Sequence, residues 1–340
     1  MRVKAGAVLQ FTGLMAKLLE SGTTADRALR LCRDMGKGTL RGLCDRIHGE
    51  LRRGRSFAET LKDCGVFPPL YGALAEIGEA TGTSAAVFRH LAVYLGRKQK
   101  GRHKIQGALA YPAFVLFAAA SLCAALFVFV LPRMKEIFTA FGAGRAEESV
   151  GGMYRSVMIL ALVLAALVFL AAGIFCLYRF SESAAYFFDR LILRLPFAGA
   201  FVTAVNIRDF FFAMELCAQS GMNVKEALGV SGAALGNRAY RAEILETEAA
   251  VGRGESIAAA FDKPLFPSYV GAWLGVGEST GEVETTFSRI REFFEDEAER
   301  RRETLMGLAE PVLILAAGII ILVLVINLVI PLYELYGGAL

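Results

Sequence analysis

FTGLMAKLLESG at residues 11–22 reads against FFFAMELCAQSG at 210–221, an offset of 199. Working outward, Ala28-Leu29 meets Ala227-Leu228 and Phe67-Pro68 meets Phe266-Pro267 at that same offset of 199. Gly78-Glu79-Ala80-Thr81-Gly82 meets Gly277-Glu278-Ser279-Thr280-Gly281, Tyr111-Pro112 meets Glu310-Pro311, and Leu131-Pro132 meets Ile330-Pro331. Gly54-Arg55-Ser56-Phe57 meets Gly254-Glu255-Ser256-Ile257 at an offset of 200, one residue being gained and then lost. One register held across this distance makes the chain a tandem duplication.

The 340 residues are 55% hydrophobic and 21% charged, with a mean hydropathy of +0.47. The apolar excess sits in three uncharged runs: 28 residues between Lys104 and Arg133, 23 between Arg155 and Arg179, and 23 between Glu310 and Glu334. A helix needs about 20 residues to cross a hydrocarbon core. These runs exclude a purely soluble enzyme, a secreted disulfide domain and a disordered chain. The charged remainder excludes a many-pass transporter. The first and third runs are equivalent in the repeat, and the middle one returns the chain so that both large domains face one side.

The resulting expectation is an all-α protein: two repeated cytoplasmic helical bundles and three transmembrane helices. The bundles cover 1–104 and 179–310, the spans 105–132, 156–178 and 311–333, with an extracytoplasmic loop at 133–155 and tail at 334–340. Basic residues set the orientation. Arg97, Lys98, Lys100, Arg102 and Lys104 precede the first span, Arg179, Arg190 and Arg194 follow the second, and Arg300, Arg301 and Arg302 precede the third. The positive-inside bias then puts both bundles and the N-terminus in the cytoplasm. Within the bundles, Ser56-Phe57-Ala58-Glu59 is a capping-box pattern, Thr23 or Thr24 is placed to cap the next helix, and Gly22, Gly36 and Gly65 sit at helix stops. Residues 282–303 read as one long solvated helix with opposite-charge pairs. Leu9, Phe11, Leu14, Met15, Leu18 and Leu19, interrupted by Lys17, form one face of an amphipathic helix rather than a cleavable signal.

Chemistry-bearing motifs are sparse. The three histidines, His48, His90 and His103, form no HExxH or metal-spaced pair, and neither GxSxG nor a Walker A loop occurs. The chain therefore reads as a non-enzyme with no cofactor and no metal, and without the basic platform of a nucleic-acid binder. The six cysteines are scattered, as buried hydrophobes of a reducing compartment are. The doubled Gly-Glu-x-Thr-Gly element is the most informative motif. Gly82 and Gly281 suit left-handed helix ends. Glu79 and Glu278, in a last turn, oppose the helix dipole and so call for a fixed partner such as an Arg or backbone amides. Hinge and partner-contact readings both stay open. Pro112 and Pro311 bound the equivalent spans, and Asn327 is a polar group suited to gluing membrane helices.

LLESG (18–22), GRSFAE (54–59), IGEATG (77–82), GESTGEVE (277–284) and EPVLI (310–314) resemble the type II secretion system F family, from about Leu9 to Tyr336. These are inner-membrane platform proteins of type II secretion, type IV pilus and competence-pseudopilus machines. The resemblance implies a non-enzymatic, multi-pass platform with an extracytoplasmic C-terminus, forming a homo-oligomer in membrane lipid. Its implied partners are a cytoplasmic hexameric ATPase, pilin or pseudopilin subunits and other inner-membrane assembly components. Gly78, Glu79, Thr81, Gly82, Gly277, Glu278, Thr280 and Gly281 are the residues carried over. Tyr111 departs from the family pattern, which has the glutamate seen at Glu310. A scaffold or receptor for another cytoplasmic partner, without an ATPase, is the competing reading.

Overall fold

The computed structural model describes residues 5–125 and 181–337, with a few scattered positions between them. Among the described residues there are helices and turns and no strand. The first repeat comprises α1 (Ala5–Glu20), α2 (Ala25–Met35), α3 (Thr39–Arg52), α4 (Phe57–Asp63), α5 (Pro69–Thr81) and α6 (Ser84–Ala125). After α7 (Glu182–Leu193) the second repeat follows the same order. It comprises α8 (Ala198–Gln219), α9 (Val224–Ala233), α10 (Arg238–Gly252), α11 (Ile257–Ala260), α12 (Ser268–Thr280) and α13 (Val283–Gly337). The starts of α5 and α12, and of α6 and α13, differ by the 199 read from the sequence.

Apolar periodicity explains the packing. In α1, Phe11 and Met15 lie one turn apart and are fully buried, as are Phe210 and Met214 at the equivalent positions of α8. In α3 the i, i+3, i+4, i+7 set Leu40, Leu43, Cys44 and Ile47 faces inward. Each fully buried large side chain contributes about 1.5–3 kcal/mol. Aromatic rings knit each centre: Tyr71 meets Phe88 edge-on at 5.7 Å in repeat one, and Phe210, Phe261 and Phe266 form a triangle in repeat two.

Caps punctuate the helices. Ser56 and Glu59 form a reciprocal capping box on α4, and the Asn223 side chain accepts from the Glu226 N–H on α9. Thr24 holds the cap position of α2, but its hydroxyl makes no capping bond there, contrary to expectation.

The chain divides into one compact unit of 1–104 with 186–302 and another of 105–185 with 303–340. Both helical repeats fall in the first unit, where α5 packs against α9. The apolar run 156–178 and the loop 133–155 fall in large part outside the described residues, whereas 105–125 and 311–333 are helical within α6 and α13, many of their side chains lying outside the described residues. Among the described residues no single helix is long and apolar enough to cross a membrane; the pair α7 and α8, bent by 110°, is so by length and composition. The apolar content of α8 is accounted for by the core, since Phe210, Phe211, Ala213 and Met214 are fully buried.

Candidate functional site

The two Gly-Glu-x-Thr-Gly elements end α5 and α12, and each of their residues has a defined position. A Cβ on Gly78 would stand 3.1 Å from the Ser84 backbone and from Val87 Cγ2; one on Gly277 would stand 2.3 Å from Thr286 Oγ1. Val87 and Thr286 are equivalent in the repeat, so the first glycine lets α5 approach α6, and α12 approach α13, by the same surface. The Glu79 carboxylate accepts from the Phe57 and Ala58 N–H groups at 3.4 and 3.0 Å. Glu278 accepts from those of Ile257 and Ala258 at 3.2 and 3.3 Å.

The glutamate that opposes its own helix dipole thus caps the positive end of a neighbouring helix. Thr81 and Thr280 turn their hydroxyls back onto the carbonyls of Ile77 and Val276. Gly82 and Gly281 then close the helices with φ of 72° each, a left-handed conformation that a Cβ disfavours. The motif is a joint that fixes three successive helices.

Pro112 and Pro311 do not open helices. Helix α6 is continuous from Ser84 through Pro112, and α13 from Val283 through Pro311 to Gly337. Asn327 lies in α13, with its side chain outside the described residues.

A second feature lies where the repeats meet, and no motif announced it. A groove of about 330 Å³ runs between α6 on one side and α8 and α13 on the other. Tyr94 stacks on Phe212 at 5.6 Å with 11° between planes, and the Arg97 guanidinium lies 5.2 Å from the same ring. Arg97 donates to Glu295 at 3.0 Å, and Lys104 to Glu299 at 2.8 Å.

Arg291, only 7% exposed, donates through Nε to Glu215 at 2.5 Å and through Nη1 to Glu295 at 3.0 Å. Hydrogen bonds from Arg302 and Lys104 pull the Glu299 carboxyl down to about 2. Residues 282–303 do carry local pairs such as Arg301 with Glu297, yet the helix is not merely solvated, because Glu295 and Glu299 reach the other repeat.

The available signal was charge: residues 97–104 hold five basic and no acidic side chains, whereas 292–299, ahead of the third apolar run, hold five acidic and no basic ones.

Cys32, Cys44, Cys64 and Cys217 are buried and unpaired. Burial pushes the Cys44 and Cys217 thiols up to about 12, away from thiolate chemistry. Among the described residues no group of three or more His, Cys, Asp or Glu is arranged to hold a metal ion.

Comparison with known proteins reproduces the duplication. A profile described as Type II secretion system (T2SS), protein F matches residues 11–132 and again 210–331. The type IV pilus assembly protein PilC of Myxococcus xanthus is 27% identical over 337 residues, covering 97% of this chain and 81% of that protein. PilC of Thermus thermophilus is 26% identical over 335 residues, covering 96% and 82%. Type II secretion system protein F of Pseudomonas aeruginosa is 25% identical over 331 residues, covering 95% and 81%. Platform proteins of this kind are non-enzymatic structural components of secretion and pilus systems. With both of its repeats matched, the chain belongs to the type II secretion system protein F family.

Proposed function

We propose that this protein is an inner-membrane platform that couples a cytoplasmic assembly ATPase to the addition of pilin or pseudopilin subunits to a filament. The observation that carries the reading is the continuity of α6 and α13. Each begins in a helical repeat at a Gly-Glu-x-Thr-Gly joint and continues into an uncharged run of membrane length. A displacement of the joint by a partner is handed along an unbroken helix, which transmits it without a compliant loop. The apolar runs anchor the chain in lipid, and the basic flanks hold the repeats on the cytoplasmic side. ATP hydrolysis belongs to the partner, consistent with the non-enzymatic role of the family.

The test is a cross-linked pull-down of the tagged full chain from native membranes with mass-spectrometric identification of partners. A hexameric ATPase together with pilin-like subunits is the expected result. Recovery of neither, at good yield of the bait, overturns the coupling. Insertion of two glycines after Gly101 should leave ATPase recovery intact and abolish filament assembly, because glycines weaken the helix that links the two.

A further inference from the structure

Helix α7 presents apolar side chains on two faces, and only one is covered. Ala185 is fully buried and Asp189 is 7% exposed. The Asp189 carboxylate accepts from the Arg238 N–H at 2.9 Å, and its carbonyl oxygen from Asn237 Nδ2 at 3.2 Å. These bonds fix the rotation of α7 about its axis. Tyr186, Phe187, Leu191 and Ile192 are consequently left outward, with Phe187 62% exposed. Leu195 and Phe197, in the elbow that follows, are each half exposed. Phe187 and Leu191 fall one turn apart on one row of the helix, with exposed Arg190 and Arg194 close by.

So much apolar surface within 12 residues marks an interaction face. Chain continuity says what covers it. Three residues separate the uncharged run 156–178 from Glu182, a gap that spans at most about 14 Å. Helix α7 therefore starts at the depth where a membrane-length segment would emerge. Its direction differs by 110° from that of α8, so the two helices do not both follow the membrane normal. Gly199 makes that elbow possible, because a Cβ there would stand 2.3 Å from the Leu193 carbonyl oxygen. Aromatic and aliphatic side chains beside arginines match the boundary between acyl chains and anionic headgroups.

We propose that α7 is an interfacial helix whose Tyr186–Phe187–Leu191–Ile192 face lies in the headgroup region of an anionic bilayer, with Arg190 and Arg194 on lipid phosphates. The inference rests on the membrane reading above, and the experiment separates the two. Trp273 is the chain's single tryptophan and is half-buried. In a Trp273→Phe background of the full chain in proteoliposomes, Phe187→Trp and Leu191→Trp report on α7. Leu245→Trp, at an exposed site of α10, serves as the water control, and Ile319→Trp, in the third apolar run, as the membrane control.

Lipid brominated near the headgroup should quench positions 187 and 191 at least about twofold more than position 245, with acrylamide giving the reverse order. Brominated phosphatidylglycerol should outdo brominated phosphatidylcholine, and Arg190→Gln with Arg194→Gln should erase that preference. If 187 and 191 respond to acrylamide like 245 while 319 responds to bromolipid, the interfacial helix is overturned and the membrane reading stands. If 319 also responds only to acrylamide, the membrane reading itself falls. Protection of 187 and 191 from both quenchers means that protein covers the face, which likewise overturns the proposal. A parallel set retaining Trp273 supplies an internal reference should the background variant fold poorly.

Discussion

The two repeats share a fold and differ in how they use it. Phe11 and Phe210, Met15 and Met214, Leu29 and Leu228, and Phe88 and Phe287 occupy equivalent and fully or almost fully buried places. Polar placements have diverged. Repeat one buries a hydroxyl pair, Thr12 with Tyr71 at 3.0 Å, where repeat two has Phe211 and Val270. Repeat two buries Glu243, whose carboxyl is raised by burial and whose Oε1 accepts from the Leu265 N–H, where repeat one, at the local offset of 200, has Leu43. The equivalents of Arg291 and Glu215 are Ala92 and Ala16. Duplication preserved the joints and the apolar core, and divergence gave the copies opposite charge where they meet.

Replacing Arg291 tests this difference most severely. Arg291→Ala leaves Glu215, itself 14% exposed at its side chain, without its buried partner and should cost about 3–5 kcal/mol in denaturant unfolding. Adding Glu215→Ala restores the arrangement of repeat one, and the double variant should be more stable than the single. Equal losses would mean that the pair carries no mutual dependence.

The joints come next. Gly277→Ala forces a Cβ against Thr286 Oγ1 and should cost about 1–3 kcal/mol, with Gly78→Ala nearer the lower end because its closest contacts are at 3.1 Å. A cost for Gly78→Ala that exceeds the other would break the assigned geometry.

Removal of the capping carboxylates is smaller still. Glu278→Ala and Glu79→Ala should each cost about 1 kcal/mol. Glu278→Ala should be the worse, because α11 has four residues and no glutamate at its third position, whereas α4 keeps the Ser56–Glu59 box. Circular dichroism melts of both variants, compared side by side, check the order.

The smallest effect is titration of the groove. Glu299 sits well below the ordinary carboxylate value in the folded chain, so its contribution is complete above about pH 4.5 and disappears as pH falls toward 2. Its side chain is 42% exposed, and solvent screening keeps the gain small. Glu299→Gln should lower Tm slightly at pH 6 and match the parent near pH 2. A difference that persists at low pH would detach the effect from ionisation.

Much of this was legible in the sequence because repetition doubles every local signal. Local signals placed the capping box at Ser56 and a helix stop at Gly36, and the awkward placement of Glu79 and Glu278 at helix C-termini predicted fixed partners, found as backbone amides. Pro112 and Pro311, read from the sequence as bounds of the equivalent apolar spans, lie within helices that run on through them. The Tyr94–Phe212 stack and the Arg291 network were out of reach, since they join side chains more than 70 residues apart and no local period records such a meeting. The outward face of α7 was hidden for the opposite reason, in that apolar residues in a short run say nothing about which of them the fold covers.

The capping of α4 by a downstream glutamate bears on the order in which the first repeat is built. Seven residues do not hold a helix alone in water, and the carboxylate that completes this one lies 21 residues beyond Ala58. At a synthesis rate of about 5–20 residues per second, the ribosome delivers Glu79 about 1–4 seconds after Ala58. Until α5 follows, α4 lacks both the Glu79 cap and the helix that packs on its buried face. Residue 105, where the first uncharged run begins, is still 26 residues from being made when Glu79 is added, so every part of the joint is made before the apolar run begins.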